Sequence, residues 1–256
     1  MRRLLLTLAV PHLCVIPARL GSTRLPSKPL RLLNGDPLIA LVAKRVLDFG
    51  IADVVVVATD DERILDALAP TGVEGIMTRQ DHGNGTERVA EVAGLPRFAD
   101  VDLVINVQGD EPFISREAIT GAVERVQSGD ALGTAAMPLA RSDVFDPNIV
   151  KVMVDDAGYA MRFSRNVPAS LAWRCQPLVF HHVGVYAYRR SALQQWARLP
   201  RTPGETGEHL EQLRPMSFGY RFGVAVVQST PFTGIDTEEE LQQAQSSSRR
   251  LAERVS

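Results

Sequence analysis

The chain has 256 residues, of which 45% are hydrophobic and 23% charged, with a formal net charge of −2. Such a chain can bury a substantial core as one large soluble α/β domain, and with no global basic surface nucleic acid is not an expected partner. Its two cysteines, Cys14 and Cys175, provide neither a disulfide framework nor zinc-ligand spacing, which suits a reducing cytoplasm.

Met1-Arg2-Arg3 and the apolar run Leu4–Val10 imitate the start of a secretory signal. The run is at the short limit for one, is interrupted by Pro11-His12, and is far too short to span a bilayer. Residues 1–12 therefore read as an N-terminal extension to a single domain covering 13–256, with no membrane association expected. Leu13–Ile16 reads as the first strand, ended by Pro17. The loop after it, from Ala18 to Leu30, carries Arg19, Arg24 and Lys28 and no acid. Three uncompensated cations directly after the first strand of an α/β sheet suit a polyphosphate; a solvated basic loop is the plainer reading. Neither G-x-x-x-x-G-K-[ST] nor G-x-G-x-x-G occurs there.

Pro37–Phe49 has apolar residues at helical spacing and stops at Gly50. Val54–Ala58 is a buried-strand pattern, followed by Asp60 and Asp61. Either caps the next helix, and Asp60 alternatively supports a catalytic group from behind. Ile76–Arg79 reads as a short strand, and Thr86 as the cap of a helix over Glu87–Ala93. Between them, Gly83 and Gly85 expose backbone groups suited to a nucleobase edge or ribose.

Val104–Val107 is a β-branched apolar run that breaks into Gln108-Gly109-Asp110-Glu111-Pro112. Ligands of open α/β sheets sit at the carboxyl ends of the strands, where this cluster falls. Asp110 is a helix cap on the plain reading, but Ser115 is better placed to cap the helix to Gln127. Asp110 thus reads as a ligand of a hard cation. After a strand at Leu132–Met137, the runs Ile149–Val154 and Tyr159–Ser164, joined by Asp155–Gly158, predict an antiparallel hairpin ending at Arg165. His181 and His182 precede a strand at Val183–Tyr188, and only one of an adjacent pair faces a given side. Glu205–Arg214 reads as a polar helix. Val224–Val227 is a strand before Gly234-Ile235-Asp236-Thr237, where Asp236 or Thr237 caps the last helix. Asp110 and Asp236 each follow a buried strand through a glycine-containing turn, so parallel strands would bring them to one edge.

These pieces in this order resemble the 3-deoxy-manno-octulosonate (Kdo) cytidylyltransferase family. The matching segments are VIPARLGSTRLPSKPL, VVVVATDDERI, MTRQDHGNGTERVAEV, VINVQGDEPFI, NIVKV with GYAMRFSR, HHVGVYAYRR, GEHLEQLR and TGIDTEEEL. The resemblance implies a nucleotide-diphospho-sugar transferase fold, α/β with a mostly parallel sheet. It also implies a smaller antiparallel portion at about 147–190 that supports a homodimer. The implied reaction moves CMP from CTP to Kdo, giving CMP-Kdo and diphosphate for lipopolysaccharide biosynthesis, with Mg²⁺ as cofactor. On the family pattern Arg19, Arg24 and Lys28 meet the CTP phosphates, and Arg79, Asn84, Gly85 and Thr86 hold the cytosine and ribose. Asp110 and Asp236 bind Mg²⁺, with Arg19 and Lys28 counted beside them as catalytic. Gln108, Arg165, His182, Glu208 and Gln212 surround the sugar acid. Another acidic sugar (8-amino-Kdo or a sialic acid) and a non-catalytic nucleotide-binding protein of the same fold are the competing readings.

Overall fold

A computed structural model describes residues 11–21, 24–167, 178–228 and 234–253. Most of the expected N-terminal extension and Cys175 lie outside the described residues. The strands in chain order are β1 (His12–Ala18), β2 (Leu32–Leu33), β3 (Asp36–Pro37), β4 (Val54–Thr59), β5 (Glu74–Met77), β6 (Leu103–Val107), β7 (Leu132–Pro138), β8 (Lys151–Val154), β9 (Ala160–Ser164), β10 (Val179–Arg189) and β11 (Phe222–Val226). One sheet runs β11-β7-β10-β6-β1-β4-β5, and β8 and β9 extend it from the start of β10. β1, β4, β5 and β6 are mutually parallel; β10 runs antiparallel to both β6 and β7, and β11 is parallel to β7. The strands β6 and β11 therefore point the same way, although β10 and β7 separate them.

The β-branched runs make strands because their side chains alternate into two apolar layers. In β1, Leu13 and Val15 join the layer containing Val89, Phe163, Trp196 and Phe222. Cys14 and Ile16 join the opposite layer with Ile39, Val42, Ile64 and Ile119. Burial pushes the Cys14 thiol up to about 12, which leaves it inert. The first helix, α1 (Leu38–Phe49), buries Ile39, Val42, Ala43 and Val46, one stripe at helical spacing, and Gly50 ends it at φ 60°. Each fully buried aliphatic side chain in these layers contributes roughly 1.5–3 kcal/mol of transfer free energy.

Pro17 does not end β1: it stays in register with Ala58 of β4. Pairing with β6 has stopped at Val15, so one flank of the strand is free there, where proline is tolerated. His12 also belongs to β1, opposite Leu103, so the extension is shorter than expected. The hairpin forms as predicted: β8 pairs antiparallel with β9, and Gly158 supplies the φ of 79° that the turn needs.

Other boundaries move. His181 and His182 lie inside β10 rather than before it. Glu205–Arg214 is not one solvated helix. It is split into helices Pro203–Glu208 and Leu213–Ser217, with His209 at φ 52° between them. Thr202 caps the first of these with a capping box to Glu205. Glu205 is buried against the buried Arg214, so the charges there are internal ion pairs rather than a solvated face. Among the described residues no helix is long and apolar enough to cross a membrane.

Candidate active site

A cleft of about 760 Å³ opens over the carboxyl ends of β1 and β6. The loop after β1 borders it with Arg19, Arg24 and Lys28; the turn after β6 contributes Gln108, Gly109 and Asp110. Gly109 is needed here because a Cβ would come within 2.9 Å of the Pro17 carbonyl. Only glycine lets these two loops close on one another.

Lys28 is the centre of the charge arrangement. Its Nζ donates to Asp110 and, at 2.7 Å, to Oδ1 of Asp236. Arg24 reaches the other oxygen of Asp236 at 2.9 Å. Burial works against the Lys28 charge, but Asp110 and Asp236 outweigh it and hold its pKa above the usual lysine value. Burial likewise opposes ionisation of Asp236, and Lys28 and Arg24 overcome it, so that carboxyl sits below the usual range. The two acids meet because β6 and β11 are parallel, and because the Ile235 amide donates to the Asp110 carbonyl at 2.9 Å. Neither aspartate caps a helix: Ser115 caps α4 (Arg116–Gln127), and Thr237 accepts from the Glu240 amide at the last helix.

The next carboxyl is different. Glu111 is pushed up to about 8, first by burial and then by Asp110 and Asp236. It therefore adds little negative charge beside the pair near neutrality.

The far end of the cleft is formed by Gly83, Asn84, Gly85 and Arg88. Asn84, not Thr86, caps α3 (Gly85–Ala93), accepting from the Glu87 amide at 2.8 Å. Thr86 is buried and does not line the cleft; its hydroxyl donates to Glu211 Oε1 at 2.8 Å. Arg79 is also outside the lining, exposed and paired with Asp81. The cations lining this end are instead Arg201, whose guanidinium lies against Gly83, and Arg88, which is buried, bonded to Thr78 and held at 2.7 Å by Asp60. Asp60 thus supports a cleft residue from behind, while Asp61 caps α2 (Glu62–Leu68). Arg88 stands in the same TER segment as Thr86; its sequence alone gave no reason to prefer it over Arg79.

On the remaining wall are His182, Gly184, Tyr186 and the Leu210–Gln212 stretch. His182 packs edge-on against Phe163 and bonds the Thr134 hydroxyl at 2.9 Å. Burial first, and His181 second, push its pKa down to about 3, so it is a neutral group at the cleft. Gln212 is buried at the lining, beside Glu211, which sequence reasoning had passed over. Arg165 and Glu208 are not part of the lining, although Arg165 is close enough to feel the charges of Arg24 and Asp236. The Arg165 guanidinium donates to the carbonyls of Glu208, Pro147 and Asn148, each at 3.2 Å. Glu208 accepts from Ser164 and from the Arg165 amide. The buried Lys151 of the NIVKV segment donates to the Asp146 and Arg165 carbonyls and so fixes the chain on which Arg165 stands. Among the described residues, no three His, Cys, Asp or Glu side chains form a ready metal cage.

A cytidylyltransferase family model matches residues 13–222. The chain is 53% identical over 241 residues to a 3-deoxy-manno-octulosonate cytidylyltransferase of Gemmatimonas aurantiaca, covering 92% of this chain and 93% of that one. Its structure is similar to that of a CMP:2-keto-3-deoxy-manno-octonic acid synthetase complexed with CTP. The TM-score is 0.83 at 36% identity, with 94% of this chain and 99% of that one covered. A 4-diphosphocytidyl-2C-methyl-D-erythritol synthase from Anaerococcus prevotii shares the fold at a TM-score of 0.62 and 14% identity, over 93% and 98% of the two chains. The chain belongs to the cytidylyltransferase family, among the 3-deoxy-manno-octulosonate cytidylyltransferases.

Proposed function

We infer that this nucleotidyltransferase moves CMP from CTP to the anomeric hydroxyl of Kdo, releasing diphosphate and supplying CMP-Kdo for lipopolysaccharide assembly. The observation that carries this reading is the Asp110–Lys28–Asp236 cluster in a cleft bordered by two further cations, Arg19 and Arg24. Triphosphate and sugar carboxylate repel each other, so a site joining them needs positive charge facing both. Arg19, Arg24 and Lys28 would face the phosphates, and the Gly83–Gly85 turn with Asn84 would meet the base and ribose.

The two aspartates fit a Mg²⁺ site. They are hard oxygen donors, two in number, already brought to within hydrogen-bonding reach of one cationic group, and Mg²⁺ is usually held by one or two carboxylates plus phosphate and water. Bound there, the metal would polarise the α-phosphate and lower the pKa of the attacking hydroxyl. In that arrangement Lys28 leaves the carboxylates and turns to the phosphates, which keeps its ammonium paired throughout.

The sugar acid would lie along Gln108, His182 and Gln212. Arg165 is the cation offered to its carboxylate, with Glu208 holding Arg165 in place. Thr134 gives its proton to the Val185 carbonyl, so a neutral His182 spends its Nε2 proton on Thr134; toward a sugar hydroxyl it could only accept, and it adds no charge. Among the described residues no group is set up as a dedicated general base, so positioning and charge stabilisation carry the rate. The single domain from residue 13 onward, its hairpin portion serving a homodimer, and a cytoplasmic setting complete the proposal. The test is diphosphate release from CTP with Kdo, 8-amino-Kdo or a sialic acid, each with and without Mg²⁺. Turnover is expected with Kdo and Mg²⁺ and none without the metal. CTP binding with no turnover on any of the three sugars would overturn the reading.

A further inference from the structure

Behind the cleft a hydrogen-bond chain joins two residues of its lining. Gln108 Nε2 donates to Asn106 Oδ1 at 3.3 Å, and Asn106 Nδ2 donates to the Tyr188 hydroxyl at 3.1 Å. That hydroxyl lies 3.4 Å from Thr86 Oγ1, which donates to Glu211 Oε1 at 2.8 Å. The Thr86 amide adds a second bond, to Glu211 Oε2. Asn106, Thr86 and Tyr188 are all fully buried, so water does not interrupt the chain.

The donors all point one way. Thr86 gives its only hydroxyl proton to Glu211, so toward Tyr188 it can only accept. Tyr188 receives the Asn106 amide, so its own proton goes to Thr86. The chain therefore runs from the Gln108 amide to the Glu211 carboxylate, and bonds so aligned polarise one another. Each end has a consequence. Spending an N–H on Asn106 turns the Gln108 amide so that its carbonyl looks toward Gly85, where a Cβ would stand 3.5 Å from Oε1. At the other end, burial raises the Glu211 pKa, and the two Thr86 bonds work against that rise.

We propose that Tyr188 is a positioning residue which, through Asn106 and Thr86, fixes the Gln108 amide and the Glu211 carboxylate as the acceptor pair for the hydroxyls of the sugar substrate. This rests on the sugar acid lying along Gln108. It also gives Thr86 a different task from nucleotide contact: it carries the chain between the helix of the nucleotide end and the Leu210–Gln212 wall.

The test is steady-state kinetics on Tyr188→Phe, which keeps the ring and its packing against Trp196 and removes one hydroxyl. The KM for Kdo should rise about fivefold to tenfold, with the KM for CTP within about twofold of the parent, the scale of one buried hydrogen bond. Thr86→Val should reproduce this split and Thr86→Ser should restore the parent values. Gln108→Ala separates the premises. If it leaves the Kdo KM unchanged, the sugar does not lie along Gln108 and the underlying reading fails. If Gln108→Ala raises that KM while Tyr188→Phe lowers only the melting temperature, the chain is a packing feature and the proposal is overturned. A rise in the KM for CTP with Tyr188→Phe overturns it as well.

Discussion

The two halves of the cleft are built on opposite principles. On the side proposed for the triphosphate, Arg24, Lys28, Asp110 and Asp236 are partly exposed and held by ion pairs that an incoming ligand can take over. On the side proposed for the sugar, Lys151 and the Glu205–Arg214 pair are anchored in the interior, and the half-buried Arg165 and Glu208 are tied to backbone and to Ser164. Phosphate and metal sites must exchange partners during turnover, so each half-buried charge there needs a ligand that replaces the pair it displaces. A sugar is distinguished by hydroxyl geometry, and that demands donors and acceptors that do not move. One side is made of replaceable partners and the other of fixed ones.

The strongest way to break this comparison is at the shared carboxylates. Asp110→Asn and Asp236→Asn should each lower kcat by about a hundredfold or more while the fold is retained, because each removes charge where the transition state develops it. The check is single-turnover formation of CMP-sugar, beside circular dichroism of each variant. A loss below about threefold in both would mean that the pair does not act on the reaction.

A smaller effect is expected on the fixed side. Arg165→Ala should raise the KM for the sugar acid by about tenfold or more, the scale of one charge-assisted bond, and should leave the KM for CTP nearly unchanged. If the loss falls on CTP instead, Arg165 serves the phosphates, and the division between the halves is drawn in the wrong place.

The smallest effect is on stability and sharpens the claim that the fixed wall is dry. His182 has its pKa pushed down to about 3, against about 6.5 in an unfolded chain. Between these values the unfolded state binds the extra proton, so stability is lost as pH falls below the unfolded pKa. From pH 7 to 5.5 this residue should account for about 1 kcal/mol of lost stability. Urea unfolding at the two pH values should show a drop smaller by that amount in His182→Gln. An equal drop in both proteins would mean that His182 is solvated.

The replaceable side was largely legible in the sequence, because its signals are local. A basic loop without acids follows a strand, and an aspartate follows another strand where Ser115 already provides the cap. The meeting of Asp110 with Asp236 followed from two parallel strands, even with β10 and β7 between them. The fixed side was less legible, since its partners are set by chain folding rather than spacing. Arg214 and Glu205 are nine residues apart, which is no helical neighbour relation; they meet because the chain turns at His209 in a left-handed conformation without a glycine. Asn84 and Thr86 are both plausible caps two residues apart. Glu87 decides between them, since its amide is three positions after Asn84, and that leaves Thr86 to turn inward to Glu211. Arg79 and Arg88 look equally suited to the end of the cleft proposed for the nucleotide until Asp60 is seen to hold Arg88 at the lining.

The central claim is that Asp110 and Asp236 form one cation site which Lys28 fills when metal is absent. Mn²⁺ binding in the absence of nucleotide, followed by electron paramagnetic resonance, tests it without relying on activity. Lys28→Met should bind one Mn²⁺ at least about tenfold more tightly than the parent protein, because the competing ammonium is gone, and adding Asp236→Asn should abolish the gain. Equal Mn²⁺ affinity in the parent and Lys28→Met, or a gain that survives the loss of Asp236, would contradict the shared site.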